Sequence, residues 1–163
     1  MAGKIHNDLI EWAVRWLRRN GFLVIATEIS CAGVREQPDA IGFRSTCSVI
    51  FEAKASRADF LADQRKPERA LDADGLGVYR FYICPEGLIL PAELPPGWGL
   101  LYVSGRKIVE VVRPLGNLWP PYGSGADTWT VFQHRPNVDA ERRVLYSIAL
   151  RQSKGGTLQR KAA

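Results

Sequence analysis

The run 47–53 (CSVIFEA) constrains the fold more than any other part of the sequence. Apolar and β-branched residues follow one another almost without interruption, whereas a strand with one solvated face would alternate apolar and polar residues. We therefore expect this strand to be buried on both faces. Its one charged residue, Glu52, is then a carboxylate within a buried strand.

Hydrophobic spacing and turn residues predict the elements on either side of this strand. Ser56 is expected to cap a helix that Pro67 ends or kinks. The predicted order is a helix over 7–19, a strand over 22–29, a hairpin of 40–44 with 47–53, a helix from Ser56, a strand over 78–84, a hairpin of 100–103 with 107–112, and a final helix ending near 151. This order indicates an α/β or α+β fold.

Length and composition restrict the class of protein. The 163 residues are about one domain, and a hydrophobic share of 46% excludes wholesale disorder. No apolar run approaches the ~20 residues of a membrane-spanning helix. The three cysteines (Cys31, Cys47 and Cys84) lie in or beside apolar stretches, which favours buried free thiols over disulfides or a zinc site. We therefore expect a cytoplasmic protein that does not associate with a membrane.

The net charge of +5 is concentrated at one end of the chain. Residues 1–134 carry 15 basic and 15 acidic side chains, whereas residues 135–163 carry 7 basic and 2 acidic ones. A basic end on a neutral body is typical of a nucleic-acid contact arm, for which Arg142 and Arg143 are candidate contacts. A solvated tail that aids solubility explains the same charges.

Three residues that can carry chemistry lie around the predicted hairpin. Antiparallel pairing brings Asp39, at the start of its first strand, beside Glu52, near the end of its second. Two carboxylates so close repel each other unless a cation lies between them, and oxygen ligands suit Mg²⁺ or Mn²⁺. Lys54 is two residues from Glu52 and therefore points to the same face of the strand. A surface ion pair at a strand end explains the Glu-x-Lys spacing alone.

These residues resemble a known signature. Pro38-Asp39 followed by Glu52-Ala53-Lys54 is similar to the motif of the PD-(D/E)XK nuclease superfamily. The runs EAKASRADFLAD and YRFYICPEGL, with WGLLYV further along, resemble the MmcB-like DNA-repair branch and related small phage and bacterial proteins. The resemblance implies a restriction-endonuclease-like core, in which a central mixed β-sheet is flanked by helices.

The resemblance also implies roles for single residues. Asp39 and Glu52 would bind Mg²⁺ or Mn²⁺, aided by the main-chain carbonyl of Ala53, and Lys54 would orient or activate the attacking water. Superfamily members often add an acidic residue from the first helix or strand. Glu28 and Glu11 are the candidates for that role, and we prefer Glu28 because a carboxylate that ends an apolar strand is otherwise hard to explain.

The implied substrate is DNA. Gln64 and Lys66 belong to a helix that often reaches the site in this superfamily. Arg57 and Lys66 are candidate phosphate contacts, and plain solvation of both side chains is the alternative. His6 and His134 are isolated in the sequence, and His6 is interpreted as a structural residue. The resemblance implies a metal-dependent nuclease in DNA repair, phage DNA metabolism or defence. The alternatives are a DNA-binding repair accessory protein without turnover and a structural or interaction protein.

The resemblance covers about residues 6–114, so we expect a nuclease-like domain over 1–114. Residues 115–152 are predicted to form a C-terminal extension that packs on the core and contains the final helix, and 153–163 a disordered basic tail. Many relatives in the superfamily cut as dimers, which makes a homodimer an open alternative to a monomer.

Overall fold

A six-stranded mixed sheet lies at the centre of the computed structural model, which describes residues 2–69 and 74–153. Helices pack on both faces of the sheet, which confirms the α+β class. The helices and strands in chain order are α1 (Ala2–Arg19), β1 (Val24–Thr27), β2 (Ala40–Phe43), β3 (Ser48–Ala53), α2 (Arg57–Asp63), β4 (Tyr79–Pro85), β5 (Trp98–Ser104), β6 (Lys107–Val112), α3 (Asp127–Thr130) and α4 (Val138–Ser153). Short 3₁₀ turns cover Pro67–Arg69 and Pro91–Glu93.

The strands lie side by side in chain order, from β1 at one edge to β6 at the other. β1, β2 and β3 pair antiparallel, β3, β4 and β5 pair parallel, and β6 returns antiparallel to β5. All six residues of β3 are buried, as the apolar run predicts. The buried strand therefore occupies the middle of the sheet and carries Glu52 into the interior.

The β2–β3 hairpin positions the candidate site. Ala40 pairs with Phe51, and continuing this register by one residue places Asp39 beside Glu52. Asp39 Oδ2 accepts a hydrogen bond of 2.7 Å from the Ala53 amide, which fixes the carboxylate at the end of β3. The predicted proximity of Asp39 and the end of β3 is thus confirmed.

An aromatic cluster fills the space between α1 and the sheet. Trp119, from the segment after β6, makes ring contacts with Trp16 of α1 and with Phe22, Tyr79, Phe81 and Trp129. Its backbone has a φ of 49°, a left-handed conformation that side chains other than glycine seldom adopt. Burial of the whole indole ring offsets that strain and attaches this segment to the core.

Helices α2 and α4 cover the opposite face. Phe60 of α2 and Val144 of α4 are buried against residues of the sheet. The Ser56 hydroxyl accepts from the Asp59 amide, as predicted for the helix cap, and Asn137 Oδ1 accepts from the Ala140 amide at the start of α4.

Some predicted boundaries are wrong. Helix α1 begins at Ala2 rather than residue 7, so His6 lies inside the helix. The first strand ends at Thr27, because Glu28 has a φ of 47° and turns the chain out of the sheet. Helix α2 ends at Asp63, before Pro67. Residues 154–163, most of the predicted tail, lie outside the described residues.

Two further predictions concern the cysteines and membrane-spanning helices. Cys31, Cys47 and Cys84 are all free thiols, and Cys47 and Cys84 are buried. Within residues 2–69 and 74–153, none of the helices combines the length and the apolar character needed to cross a membrane.

Candidate active site

One cavity contains the residues of the Pro-Asp and Glu-x-Lys motif. It has a volume of about 390 Å³ and lies where the end of β3 meets α1, α2 and the segment before β2. Its lining residues are His6, Gln37, Asp39, Glu52, Ala53, Lys54, Asp59, Ala62, Asp63 and Lys66. The structure thus brings Asp39, Glu52, Ala53 and Lys54 together, as the sequence predicts.

At the edge of this cavity, the lining residues His6 and Asp39 lie beside a further carboxylate, that of Glu28. His6 Nε2 lies 3.4 Å from Asp39 Oδ1 and 3.7 Å from Glu28 Oε1. One ligand atom from each of these three residues lies within 4.8 Å of the other two. The Glu28 carboxylate is therefore close to that of Asp39, and its role as an additional acidic residue of the site stays a prediction.

Hydrogen bonds of the main chain hold Glu28 in its left-handed conformation. Its amide donates to the Asp39 carbonyl at 3.0 Å, and its own carbonyl accepts from the Gln37 side chain at 3.1 Å. Backbone strain of this kind costs of order 1–3 kcal/mol and is common at functional sites. Glu11, the other candidate acid, lies exposed on α1 and pairs with Arg15 at 3.9 Å.

The inner side of the cavity is a buried cluster of charged groups. Lys54 Nζ lies 3.5 Å from Glu52 Oε2 and 3.1 Å from Asp63 Oδ1. Arg69 makes two hydrogen bonds to Asp63, of 2.6 and 2.7 Å, and its Nη2 lies 3.3 Å from Glu52 Oε1. The Tyr82 hydroxyl donates to Asp63 Oδ2 at 2.6 Å. Glu52, Lys54, Asp63 and Arg69 are each at most 7% exposed.

The surroundings shift the pKa values of these carboxyls in different directions. Burial raises the pKa of Glu52 to about 7, although Arg69 and Lys54 oppose the shift. Burial also raises the pKa of Asp39, against the Ala53 hydrogen bond and His6. Burial also tends to raise the pKa of Asp63. Arg69 and the Tyr82 hydroxyl outweigh burial and hold the pKa of Asp63 below its ordinary value.

The donor atoms of the cavity suit a cation. Among its described lining residues are four carboxylates and two lysines. Carboxylate oxygens are the ligands that Mg²⁺ and Mn²⁺ prefer, so the donor set fits a divalent ion.

The residues on α2 and just beyond it that are predicted to contact nucleic acid fall into two groups. Lys66 lines the cavity, where its Nζ lies 3.1 Å from Asp63 Oδ1. Gln64 donates instead to the Glu93 carbonyl at 2.7 Å. Arg57 makes a double hydrogen bond to the Glu93 carboxylate and another to the Leu88 carbonyl. Arg57 and Gln64 therefore hold the segment around Glu93, and the structure does not bring them into the cavity.

Arg142 and Arg143 lie in a separate groove between α4 and the loop after β1. This groove has a volume of about 670 Å³ and includes Cys31, Ala32 and Tyr146. Arg143 Nη1 lies 3.4 Å from the Ala32 carbonyl. The groove shares none of its described lining residues with the cavity around Asp39. The structure therefore does not bring the two arginines into the cavity around Asp39, and their contact with nucleic acid stays a prediction.

Sequence reasoning missed three residues at this site. His6 was missed because the predicted helix began after it. Asp63 and Arg69 were missed because their contacts with Tyr82 and Glu52 depend on how α2 and the turn after it pack against the sheet. The one available signal was spacing: Asp59 and Asp63 are four residues apart on α2, which places both on one helix face toward the strand that carries Glu52.

Comparison with known proteins identifies the fold and nothing more specific. The chain matches no protein-family model and no curated protein. It is similar in structure to the SPO1766 protein of unknown function from Silicibacter pomeroyi. The two chains are 22% identical, the alignment covers 93% of this chain and 94% of that one, and the TM-score is 0.54.

Proposed function

We propose that this protein is a metal-dependent nuclease that hydrolyses phosphodiester bonds in DNA. The observation that carries the proposal is the cavity at the end of β3, which contains two carboxylates from a paired hairpin and a lysine on the same strand face as one of them. An ion pair buried for stability alone is seldom better than apolar packing, so this cluster is better explained by chemistry.

The residues of the cavity have separate roles in this proposal. Asp39 and Glu52, with the Ala53 carbonyl, would hold Mg²⁺ or Mn²⁺, and the bound ion would polarise a phosphoryl oxygen and lower the pKa of a water molecule. Lys54 supplies a positive charge for the developing negative charge on the phosphate. Asp63 holds the Lys54 ammonium group at 3.1 Å and is itself fixed by Arg69 and Tyr82.

A second candidate is a DNA-binding repair protein of the same fold that does not cut. The interactions of Glu52 favour it: Arg69 and Lys54 face one carboxylate oxygen each, and the side chain is 5% exposed. In a nuclease, Glu52 must turn from these cations toward the ion. In a binding protein the ion pairs persist.

The test is cleavage of single-stranded, duplex and branched DNA by the full chain in Mg²⁺ and in Mn²⁺. Lys54→Met removes the charge and keeps most of the buried side-chain volume. We expect a loss of rate of about 10²-fold or more, because a group that stabilises transition-state charge has typically that effect.

Lys107→Met is the matched control, since Lys107 is exposed at the start of β6, four strands away from β2 in the sheet. It should cut like the wild type. Cleavage by Lys54→Met at the wild-type rate would refute the role of Lys54. Binding of DNA without cleavage in either ion would refute the nuclease and establish the accessory protein.

A further inference from the structure

His6 lines the cavity, and neither the motif nor its resemblance gives it a role. Its Nε2 faces two carboxylates, at 3.4 Å from Asp39 and 3.7 Å from Glu28. Both distances exceed the 2.7–3.2 Å that is usual for an N–H···O hydrogen bond. An imidazole that served only to bond one carboxylate would be expected to approach that carboxylate more closely.

The two separations from His6, 3.4 and 3.7 Å, are instead close to those between ligands of one metal ion. Bonds from a metal to nitrogen or carboxylate oxygen are about 2.0–2.2 Å, so neighbouring ligand atoms lie about 3–4 Å apart. The ligand atoms of His6, Glu28 and Asp39 all lie within 4.8 Å of one another. The Glu28 side chain is 57% exposed and can make the small adjustment that remains.

Surrounding hydrogen bonds fix the orientation of this group. The Ala53 amide binds Asp39 Oδ2, which leaves Oδ1 on the side of His6. Bonds to the Asp39 carbonyl and the Gln37 side chain hold the backbone of Glu28. Such outer partners commonly orient metal ligands.

We infer that His6, Glu28 and Asp39 bind one divalent first-row transition-metal ion, such as Mn²⁺, in preference to Mg²⁺. Imidazole nitrogen is a ligand of transition metals, whereas Mg²⁺ takes oxygen ligands and retains water. This inference rests on the proposed function, since the ion occupies the same cavity. It adds His6 as a ligand and makes the site selective.

The first test is imidazole ¹⁵N NMR of the full-length wild-type chain. The chain has two histidines, and His134 is 1% exposed, with its Nε2 3.1 Å from the Gly97 carbonyl. A substoichiometric amount of Mn²⁺ should broaden the His6 ring signals and leave those of His134 sharp. Sharp His6 signals when Mn²⁺ is bound, or equal broadening of both rings, would overturn the assignment.

The second test is calorimetric titration with Mn²⁺ and with Mg²⁺. We expect His6→Ala to weaken Mn²⁺ binding at least about tenfold, since even outer-shell partners of a metal site are worth 10–100-fold, and to change Mg²⁺ binding little. Asp8→Asn, on the same helix and paired with Lys4, is the control and should bind both ions like the wild type. Equal affinities of the wild type for Mn²⁺ and Mg²⁺ would contradict the selectivity.

These readouts separate the inference from the proposed function. Mn²⁺ bound at His6 by a chain that cuts no DNA would refute the nuclease and leave the metal site standing. Cleavage that depends on Lys54, with unaffected His6 signals, would refute this site and leave the nuclease standing.

Discussion

The two faces of the sheet differ in what fills them. On the α1 face, Trp119 and its neighbouring aromatic rings pack edge to face around one indole. On the α2 face, at the end of β3, Asp63 accepts from Arg69, Lys54 and Tyr82. The aromatic face gains free energy from apolar burial and ring contacts, whereas the charged cluster must first overcome the desolvation of each ion.

We propose that the aromatic face serves stability and that the charged cluster serves the chemistry of the site. Replacing a buried ion pair with apolar residues is often neutral or stabilising, so stability alone does not account for four buried charged side chains at one strand end. The aromatic face needs no such explanation. We therefore expect substitutions on the α1 face to change stability alone, and those in the charged cluster to change metal binding and cleavage as well as stability.

The largest effect on the free energy of unfolding is expected from Trp119→Ala. Truncation of a buried Trp to Ala costs about 3–5 kcal/mol, and we expect the upper end because this ring contacts five other aromatic rings. Leu118→Ala, at the adjacent and 76% exposed position, should cost less than about 0.5 kcal/mol. Urea denaturation measures both. If folded Trp119→Ala also lost Mn²⁺ affinity, the two faces would be coupled and the comparison would fail.

The second-largest effect on the free energy of unfolding is expected from Arg69→Met. This substitution removes the cation shared by Asp63, Glu52 and Glu36. Loss of one partner of a buried pair costs about 3–5 kcal/mol at neutral pH. We expect the lower end, because Lys54 and Lys66 still face Asp63 and the high pKa of Glu52 allows it to become neutral.

The loss of unfolding free energy caused by Arg69→Met should depend on pH. Arg69 holds the pKa of Asp63 below its ordinary value of 3.8. Asp63 therefore contributes stability that is fully present above that value and is lost as the pH falls through its lower folded pKa. The wild type loses this contribution in acid and the variant has little of it to lose, so their difference in unfolding free energy should shrink between pH 7 and pH 3. An unchanged difference would mean that Arg69 acts through packing on Trp98, which it overlies at 4.8 Å.

The sequence predicts the fold best where a local pattern decides it. The continuous apolar run of β3, the Ser56 cap and the two hairpins are each fixed by residues close together in the chain, and the structure has all of them. The left-handed turn at Glu28 and the burial of Trp119 in a left-handed conformation depend on contacts with distant segments. No periodicity within a short window reveals such contacts.

The same distinction applies to the candidate site. Asp39, Glu52 and Lys54 belong to one hairpin, so pairing and strand alternation predict their proximity. His6, Asp63 and Arg69 come from α1, from the end of α2 and from the turn after it. Their proximity to the hairpin depends on how helices pack on the sheet, which the sequence pattern does not determine. The roles of all six residues remain predictions.

The smallest expected effect is on the salt dependence of DNA binding. It distinguishes two arginines, Arg57 on α2 and Arg142 on α4. Arg57 is already engaged by Glu93 and Leu88, so a phosphate would have to displace both partners. Arg142 is exposed in the groove on α4. Each phosphate neutralised on duplex DNA contributes about −0.9 to the slope of log affinity against log salt. Arg142→Gln should therefore make the slope shallower by up to about 0.9, and Arg57→Gln should leave it unchanged.

Fluorescence anisotropy of labelled duplex DNA across a salt series measures both slopes. The two substitutions remove the same charge, so a general loss of electrostatic attraction would affect them equally. A shallower slope in Arg142→Gln alone would assign the α4 groove to the DNA path and leave Arg57 a structural role. The reverse result would place the DNA over α2, and unchanged slopes in both would leave the basic end as a solubility element. In that last case, contact with DNA would be confined to the cavity.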